Sequence, residues 1–311
     1  MALIETIHLQ EIIWIKSIQA TLLTVTPSPL IILFDGFGDI RFFFIAFPFI
    51  VVFMGRAVGI KLTVLLLSTA IIINELKYNL CWPRPFHLDH SLQVISETGF
   101  GMPSGHTAMS AAFWLGLFFF FIRKKTTHPV VWGVICMLLP IGTGISRVLL
   151  GVHFISDVIA GLGIGLIITL VLSCLDQSGM MSKFYEPGKK PWLVFLGVLT
   201  TLMLIHHQNH FLVSRFFGIL LFSLSFFGIT YFQNKQNKEL NTMHGLKEKW
   251  LYIPVTLIGL FLINYSLSYD LAFASTEAIK IIIIGAWLGG ISLNVTYFLL
   301  RIGGCGDRLN T

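Results

Sequence analysis

Two histidines and an aspartate, His106, His153 and Asp157, stand beside cations in a chain that is otherwise 55% hydrophobic and only 12% charged. In Ser146-Arg147-Val-Leu-Leu-Gly151-Val-His153-Phe-Ile-Ser-Asp157, His153 and Asp157 are i and i+4, so on a helix they share a face. An aspartate that accepts from one ring nitrogen holds the tautomer that leaves the other nitrogen free to attack. Gly101-Met-Pro103-Ser104-Gly105-His106 reads as a turn that opens into a helix. The unpaired N–H groups of such a terminus, with the Ser104 hydroxyl, make an anion cradle. His106 brings to it a proton to give or take. Lys77-Tyr-Asn-Leu-Cys-Trp-Pro-Arg84-Pro85 adds a lysine and, seven residues later, an arginine whose backbone is restricted by its flanking prolines. These residue types suit phosphoryl transfer, with three cations and a helix terminus for a phosphoryl dianion, one histidine to attack and another to protonate the leaving oxygen. That chemistry needs no metal and no cofactor.

Each piece alone has a plainer reading. Lys77 and Arg84 could be interfacial cations that snorkel, Pro-Ser-Gly-His an ordinary helix cap, and His153 with Asp157 a pair that merely satisfies itself. Topology is what joins them. Apolar runs near the roughly 20 residues that cross a bilayer lie at about 40–56, 58–77, 104–122, 129–147, 153–175, 191–207, 211–232, 250–268 and 278–301. The expected fold is therefore an all-α polytopic membrane bundle of about nine transmembrane helices. Residues 12–34, broken by Pro27 and Pro29, read as an interfacial helix in preference to a tenth span, given the amphipathic pattern of residues 5–20. The expected divisions are residues 1–39 as an N-terminal interfacial or re-entrant segment, 40–175 as a catalytic transmembrane core and 176–311 as a C-terminal extension of about four helices.

The net charge of +6 is spread over short loops and forms no continuous stripe, which excludes a nucleic-acid surface. Arg56, Lys61, Arg123 to Lys125, Lys183, Lys189, Lys190, the cations from Lys235 to Lys249, Arg301 and Arg308 all fall on one side of the nine-span scheme. By the positive-inside rule that side is the cytoplasm. Lys77, Arg84 and Arg147 sit at helix ends on the other side, where a cation within a span costs about 2.5–3.5 kcal/mol on insertion scales. Helix two ends, helix three begins, helix four ends and helix five begins on that same non-cytoplasmic surface, so every named residue reaches it. The same scheme makes the N-terminus non-cytoplasmic and the C-terminus cytoplasmic. The start, MALIETIHLQEIIWIK, lacks the pattern of a removable signal peptide. Cys81, Cys136, Cys174 and Cys305 have neither disulfide-framework nor zinc spacing.

The three segments resemble the type 2 phosphatidic acid phosphatase (PAP2) superfamily, whose signature is K-x6-R-P, then P-S-G-H, then S-R-x5-H-x3-D. All three occur in order and without substitution, at Lys77 to Pro85, Pro103 to His106 and Ser146 to Asp157. The resemblance covers about residues 40–175 and implies the catalytic core that this superfamily shares with the haloperoxidases. It implies His153 as the nucleophile that becomes a phosphohistidine, Asp157 as its orienting partner and His106 as the acid for the departing alkoxide. It further implies that Lys77, Arg84, Ser104, Gly105 and Arg147 hold the phosphate oxygens, with no metal.

The implied activity is a membrane phosphatase acting on a phosphate ester, with a lipid phosphate such as phosphatidate, phosphatidylglycerol phosphate or an isoprenoid phosphate preferred over a soluble sugar. The alternative is a sugar-phosphate phosphatase. The nine-span layout and the stretches Asp39-Ile-Arg41, Ala57 to Leu62 and Glu97 to Gly101 look like the glucose-6-phosphatase branch, while extra C-terminal spans also resemble sphingosine-phosphate phosphatases. A phosphotransferase and a non-catalytic membrane protein are the remaining alternatives. His87, Asp89 and His90 read as a polar loop, and His206, His207 and His210 as interfacial polarity in preference to a metal site.

Overall fold

A backbone immersed in lipid must close its hydrogen bonds within its own segments, and the regular elements among the described residues are all helical. The structure is a computed structural model, and it describes residues 2–25, 28–180, 192–206, 210–236, 246–266, 274–292 and 294–296. In chain order the helices are α1 (Ala2–Val25), α2 (Ser28–Gly36), α3 (Ile40–Met54), α4 (Arg56–Leu80), α5 (Pro85–Leu88) and α6 (Gly105–Leu117). A π turn at Phe118–Ile122 carries α6 into α7 (Arg123–Lys125), and α8 (Pro129–Leu149), α9 (Ile155–Gln177), α10 (Trp192–Ile205), α11 (His210–Gln236), α12 (Leu246–Ser266) and α13 (Ala274–Ala286) follow.

Four stretches, Arg56–Leu88, Gly105–Lys125, Pro129–Leu149 and Ile155–Gln177, are long and apolar enough to cross a membrane. A fifth is added if α2 and α3, bent by 67° at the break between them, count as one span. This is the composition of a multi-pass membrane protein. The expected count of nine is not reached among the described residues. The runs expected at 191–207, 211–232 and 250–268 give shorter described apolar helices, Leu196–Ile205, Phe216–Phe227 and Leu251–Ile263. Most of the run expected to end at residue 301 lies in α13 and the π turn after it, and residues 297–311 lie outside the described set.

The chain divides into two compact units, residues 1–43 with 61–178, and residues 44–60 with 179–311. In the first, α6 packs closely on α8 and α9. Lipid supplies no hydrophobic drive between helices, so close backbone approach through small residues carries the association. A Cβ added at Gly161 would lie 2.6 Å from the Ser104 carbonyl, and one at Gly165 would lie 2.6 Å from the Ala108 carbonyl. Ala108, Ala111 and Ala112 of α6 are fully buried on that seam. Buried hydroxyls add polar ties: Ser110 and Thr143 Oγ1 are 3.1 Å apart, and the Ser146 hydroxyl donates to the Thr143 carbonyl at 2.7 Å. At the far end of the unit, Lys61 pairs with Asp176 at 2.5 Å.

The helix α1 turns His8, Glu11, Ile12 and Ile15 inward, and Ile12 and Ile15 form one apolar cluster with Leu92, Val148, Phe154 and Val158. The second unit is held by ring packing and by a half-buried indole. Phe222 and Phe226 stack at 5.7 Å, Phe44 lies at 6.1 Å from Phe222, and the Trp287 indole N–H donates to the Thr256 carbonyl at 3.0 Å.

Candidate active site

The C-terminal ends of α4 and α8 and the N-terminal ends of α6 and α9 meet at one end of the first unit. Tight turns make this possible. Gly151 has φ +71°, and a Cβ there would lie 1.8 Å from the Leu92 carbonyl oxygen, so only glycine lets the chain reverse between Arg147 and His153.

His153 is 1% exposed, and its Nδ1 lies 3.1 Å from Oδ2 of Asp157. The same carboxylate oxygen accepts the Phe154 amide at 3.0 Å, so Asp157 is fixed by the first turn of its own helix. On the other side of the ring, Nη1 of Arg84 lies 3.3 Å from Nε2 of His153. A guanidinium can only donate. Nε2 is therefore the unprotonated nitrogen and Nδ1 carries the proton toward Asp157. Burial, and then the positive charges of Lys77, Arg84 and Arg147, hold the His153 imidazole well below the usual histidine range.

Arg84, 3% exposed, is anchored on three carbonyls besides: Nε donates to Gly99 at 2.9 Å, Nη2 to Thr98 at 2.8 Å and Nη1 to Val152 at 2.9 Å. Pro85 starts the short α5 directly after it and fixes where this side chain departs. Lys77, on the last turn of α4, commits two of its three donors to Phe100 O at 2.7 Å and Gly101 O at 2.9 Å. Ser104 caps α6; its amide donates to the Asp157 carbonyl at 3.0 Å, and its hydroxyl lies 2.8 Å from that of Thr107. The amides of Gly105, His106 and Thr107 open the helix and have no acceptor within it. His106 stands on that first turn, with the Asp35 to Asp39 bend packed against its backbone: a Cβ at Gly38 would meet the His106 carbonyl at 2.6 Å.

Arg147 holds a bridge that no motif in the sequence announces. Its Nη1 donates to Asp35 Oδ1 at 2.8 Å and its Nη2 to Glu97 Oε2 at 2.5 Å, while Nε is buried without a partner. Burial works against the charge of Glu97, but the hydrogen bond and positive charge of Arg147 more than offset it, leaving this carboxyl below its ordinary value. Glu97 is visible in the Glu-Thr-Gly-Phe-Gly stretch, and Asp35 sits in an Asp-Gly turn; nothing in their spacing points to Arg147. Thus Arg84, His153, Asp157 and Ser104 are joined by direct contacts, Lys77 and Arg147 reach the same 97–101 stretch that holds Arg84, and Gly105 and His106 begin the helix beside them. The polar loop residue Asp89 pairs with Lys16 at 2.5 Å, and that pairing with the Ser91 hydrogen bonds brings its carboxyl down to about 2. His206 is described, the side chain of His210 and all of His207 lie outside the described set, and among the described residues no group of three or more His, Cys, Asp or Glu is arranged to hold a metal ion.

Residues 58–179 match the PAP2 superfamily. Phosphatidylglycerophosphatase B of Bacillus subtilis (strain 168) is 33% identical over 92 residues, covering 27% of this chain and 43% of that protein. Sphingosine-1-phosphate phosphatase 1 of Mus musculus is 26% identical over 187 residues, covering 58% of this chain and 42% of that protein. This chain thus spans less than half the length of the curated relatives it matches. A crystal structure of a transmembrane PAP2-type phosphatidylglycerolphosphate phosphatase from Bacillus subtilis is 25% identical, with a TM-score of 0.44 over 53% of this chain and 85% of that one. The segment that matches the PAP2 superfamily contains the three motifs whole, from Lys77 to Asp157.

Proposed function

We propose that the chain is a membrane phosphatase that hydrolyses a lipid phosphate monoester through a phosphohistidine on His153. The observation that carries this reading is the His153 ring held between Asp157 at Nδ1 and Arg84 at Nε2. An unprotonated nitrogen beside a guanidinium is a nucleophile aimed at the place where a phosphate would be bound. The match to a superfamily whose named relatives are phosphatases of lipid phosphates supports the substrate class.

In the first step the Nε2 lone pair forms a bond to phosphorus while the ester P–O bond breaks. The bonding electrons leave with the alkoxide oxygen, which takes a proton from His106. In the second step His106 takes a proton from water as its oxygen attacks phosphorus, the N–P bond breaks back to Nε2, and inorganic phosphate departs. Lys77, Arg84, Arg147, the Ser104 hydroxyl and the Gly105 amide would bear the charge on the phosphoryl oxygens, positioned before reaction so that little reorganisation is needed. This face is proposed to be non-cytoplasmic, with the N-terminus on the same side and the C-terminus in the cytoplasm. Labelling of the exposed Cys81 by a membrane-impermeant maleimide reads that orientation.

The test is phosphate release by the purified protein from micellar phosphatidylglycerol phosphate, phosphatidate and sphingosine-1-phosphate, against glucose 6-phosphate in solution. Release from at least one lipid with little from the sugar is expected. Release from the sugar alone would overturn the substrate class, and release from none, with the protein folded and inserted, would overturn the activity. Label from a radioactive substrate should be trapped on wild type and absent from His153→Ala.

A further inference from the structure

We infer that α1 holds the two loops of the site in register and that Glu11 is a positioning residue for the His153–Asp157 pair. Arg84 is carried by the loop that leaves α4, and His153 by the connection between α8 and α9. Their contact spans 69 residues of sequence and belongs to neither motif alone. The helix α1 touches both loops. It lies outside residues 58–179, so the PAP2 match does not include it.

Glu11 is 4% exposed, and its carboxylate accepts twice from one residue: Oε1 from the Ser156 amide at 2.8 Å and Oε2 from the Ser156 hydroxyl at 3.0 Å. Ser156 lies in the first turn of α9, between His153 and Asp157. A carboxylate there fills an amide the helix leaves unpaired and favours the positive end of its dipole. One turn earlier on the same face, His8 stacks on Phe154 at 4.2 Å and meets Trp82 edge-on at 5.4 Å. Two turns later, Gln19 Nε2 donates to Leu92 O and to Leu149 O, both at 3.0 Å. Trp82 and Leu92 belong to the Arg84 loop, while Leu149 ends α8, Phe154 closes the His153 connection and Ser156 lies in the first turn of α9. Every anchor thus fixes one loop, the other, or both, and a drift of one ångström between such groups can cost a hundredfold in rate.

The kinetic arm of the test rests on the proposed phosphatase activity, and an exchange arm does not. In wild type the Ser156 amide exchanges slowly with deuterated solvent, and in Glu11→Ala exchange across residues 153–157 is accelerated while the rest of α9 is unchanged. In the same folded, inserted variant kcat falls about tenfold to a hundredfold with KM within about twofold of wild type. Glu11→Gln keeps an acceptor for the Ser156 amide and recovers most of kcat. Ser156→Ala, which keeps the amide and loses only the hydroxyl, gives a smaller loss that does not add to that of Glu11→Ala. Should Glu11→Ala fold poorly, Gln19→Ala, which removes the bonds to Leu92 and Leu149, carries the exchange readout at the two loops, and Ser156→Ala carries the kinetic one. Unchanged exchange in Glu11→Ala and Gln19→Ala overturns the register role of α1. Accelerated exchange with wild-type kcat overturns the positioning role of Glu11 and leaves it a structural cap. A wild type that releases no phosphate defeats the phosphatase reading, and the exchange arm alone then decides whether α1 holds the loops.

Discussion

Nη1 of Arg84 lies 3.3 Å from Nε2 of His153 while donating at 2.9 Å to the Val152 carbonyl next door. One guanidinium nitrogen therefore ties the proposed nucleophile, His153, to the backbone that carries it. Because arginine has no acceptor, the contact also selects the tautomer, and Asp157 receives the remaining ring proton at 3.1 Å. The carboxylate and the guanidinium agree on one protonation state from opposite sides of the ring.

Asp157→Asn tests that agreement. The amide can turn its NH2 toward Nδ1 and favour the tautomer in which Nε2 bears the proton and cannot attack. With the fold intact, kcat should fall by about 10²–10⁴, the scale seen when an orienting carboxylate is neutralised in a histidine-based site. His153→Ala should remove phosphate release altogether and leave the protein inserted. Steady-state phosphate release, with circular dichroism as the control for folding, checks both.

Arg147→Lys asks whether charge or shape matters at this position. The arginine bridges Asp35 and Glu97 with separate nitrogens at 2.8 and 2.5 Å, a fork that an ammonium cannot reproduce. We expect kcat/KM to drop at least about tenfold although the charge is kept, because each charged hydrogen bond lost is worth roughly 1.5–3 kcal/mol. Wild-type kcat/KM in the lysine variant would show that charge alone suffices.

The site was legible where its geometry is local and obscure where it is not. His153 and Asp157 are four residues apart on a helix, so spacing alone pairs them. Pro83 and Pro85 announce that Arg84 leaves the helix, and Pro-Ser-Gly announces the turn into α6. The partners of Arg147 lie 50 and 112 residues away and that of Glu11 lies 145 away, separations at which no periodicity acts. The N-terminal helix shows the same limit: the amphipathic pattern of residues 5–20 reads as interfacial, but His8 and Glu11 within it are buried against protein. Apolar length, which counts spans well in α4, α6, α8 and α9, overcounts where a run supplies a shorter helix, as at Leu196–Ile205.

Gly151→Ala should be among the most damaging single-methyl changes in the chain. The left-handed backbone at φ +71° costs an alanine about 1–2 kcal/mol, and the methyl would meet the Leu92 carbonyl at 1.8 Å. The turn must open, which pulls Leu92 and Leu149 off the Gln19 amide and swings His153 away from Arg84. A lowered Tm together with lost phosphate release is the expected result. Gly163→Ala, where the added methyl meets nothing within 4 Å, is the matched control and should be silent.

The pH profile follows from the sign of the His153 shift. In the proposed attack His153 is neutral, and burial with the nearby cations holds its pKa well below the usual histidine value of 6.5. As pH falls through 6.5 the ring stays neutral, so its protonation removes kcat/KM only at more acidic pH. Lys77 is the first of the cations that press the value down. Lys77→Met removes that pressure, raises the pKa of His153 and moves the acid limb toward higher pH, besides lowering kcat/KM through loss of the proposed phosphate contact. The substrate's own second ionisation near pH 6 is common to both enzymes, so the difference between the two profiles isolates the histidine. An acid limb that stays in place, or moves to lower pH, in Lys77→Met would show that the limb belongs to another group.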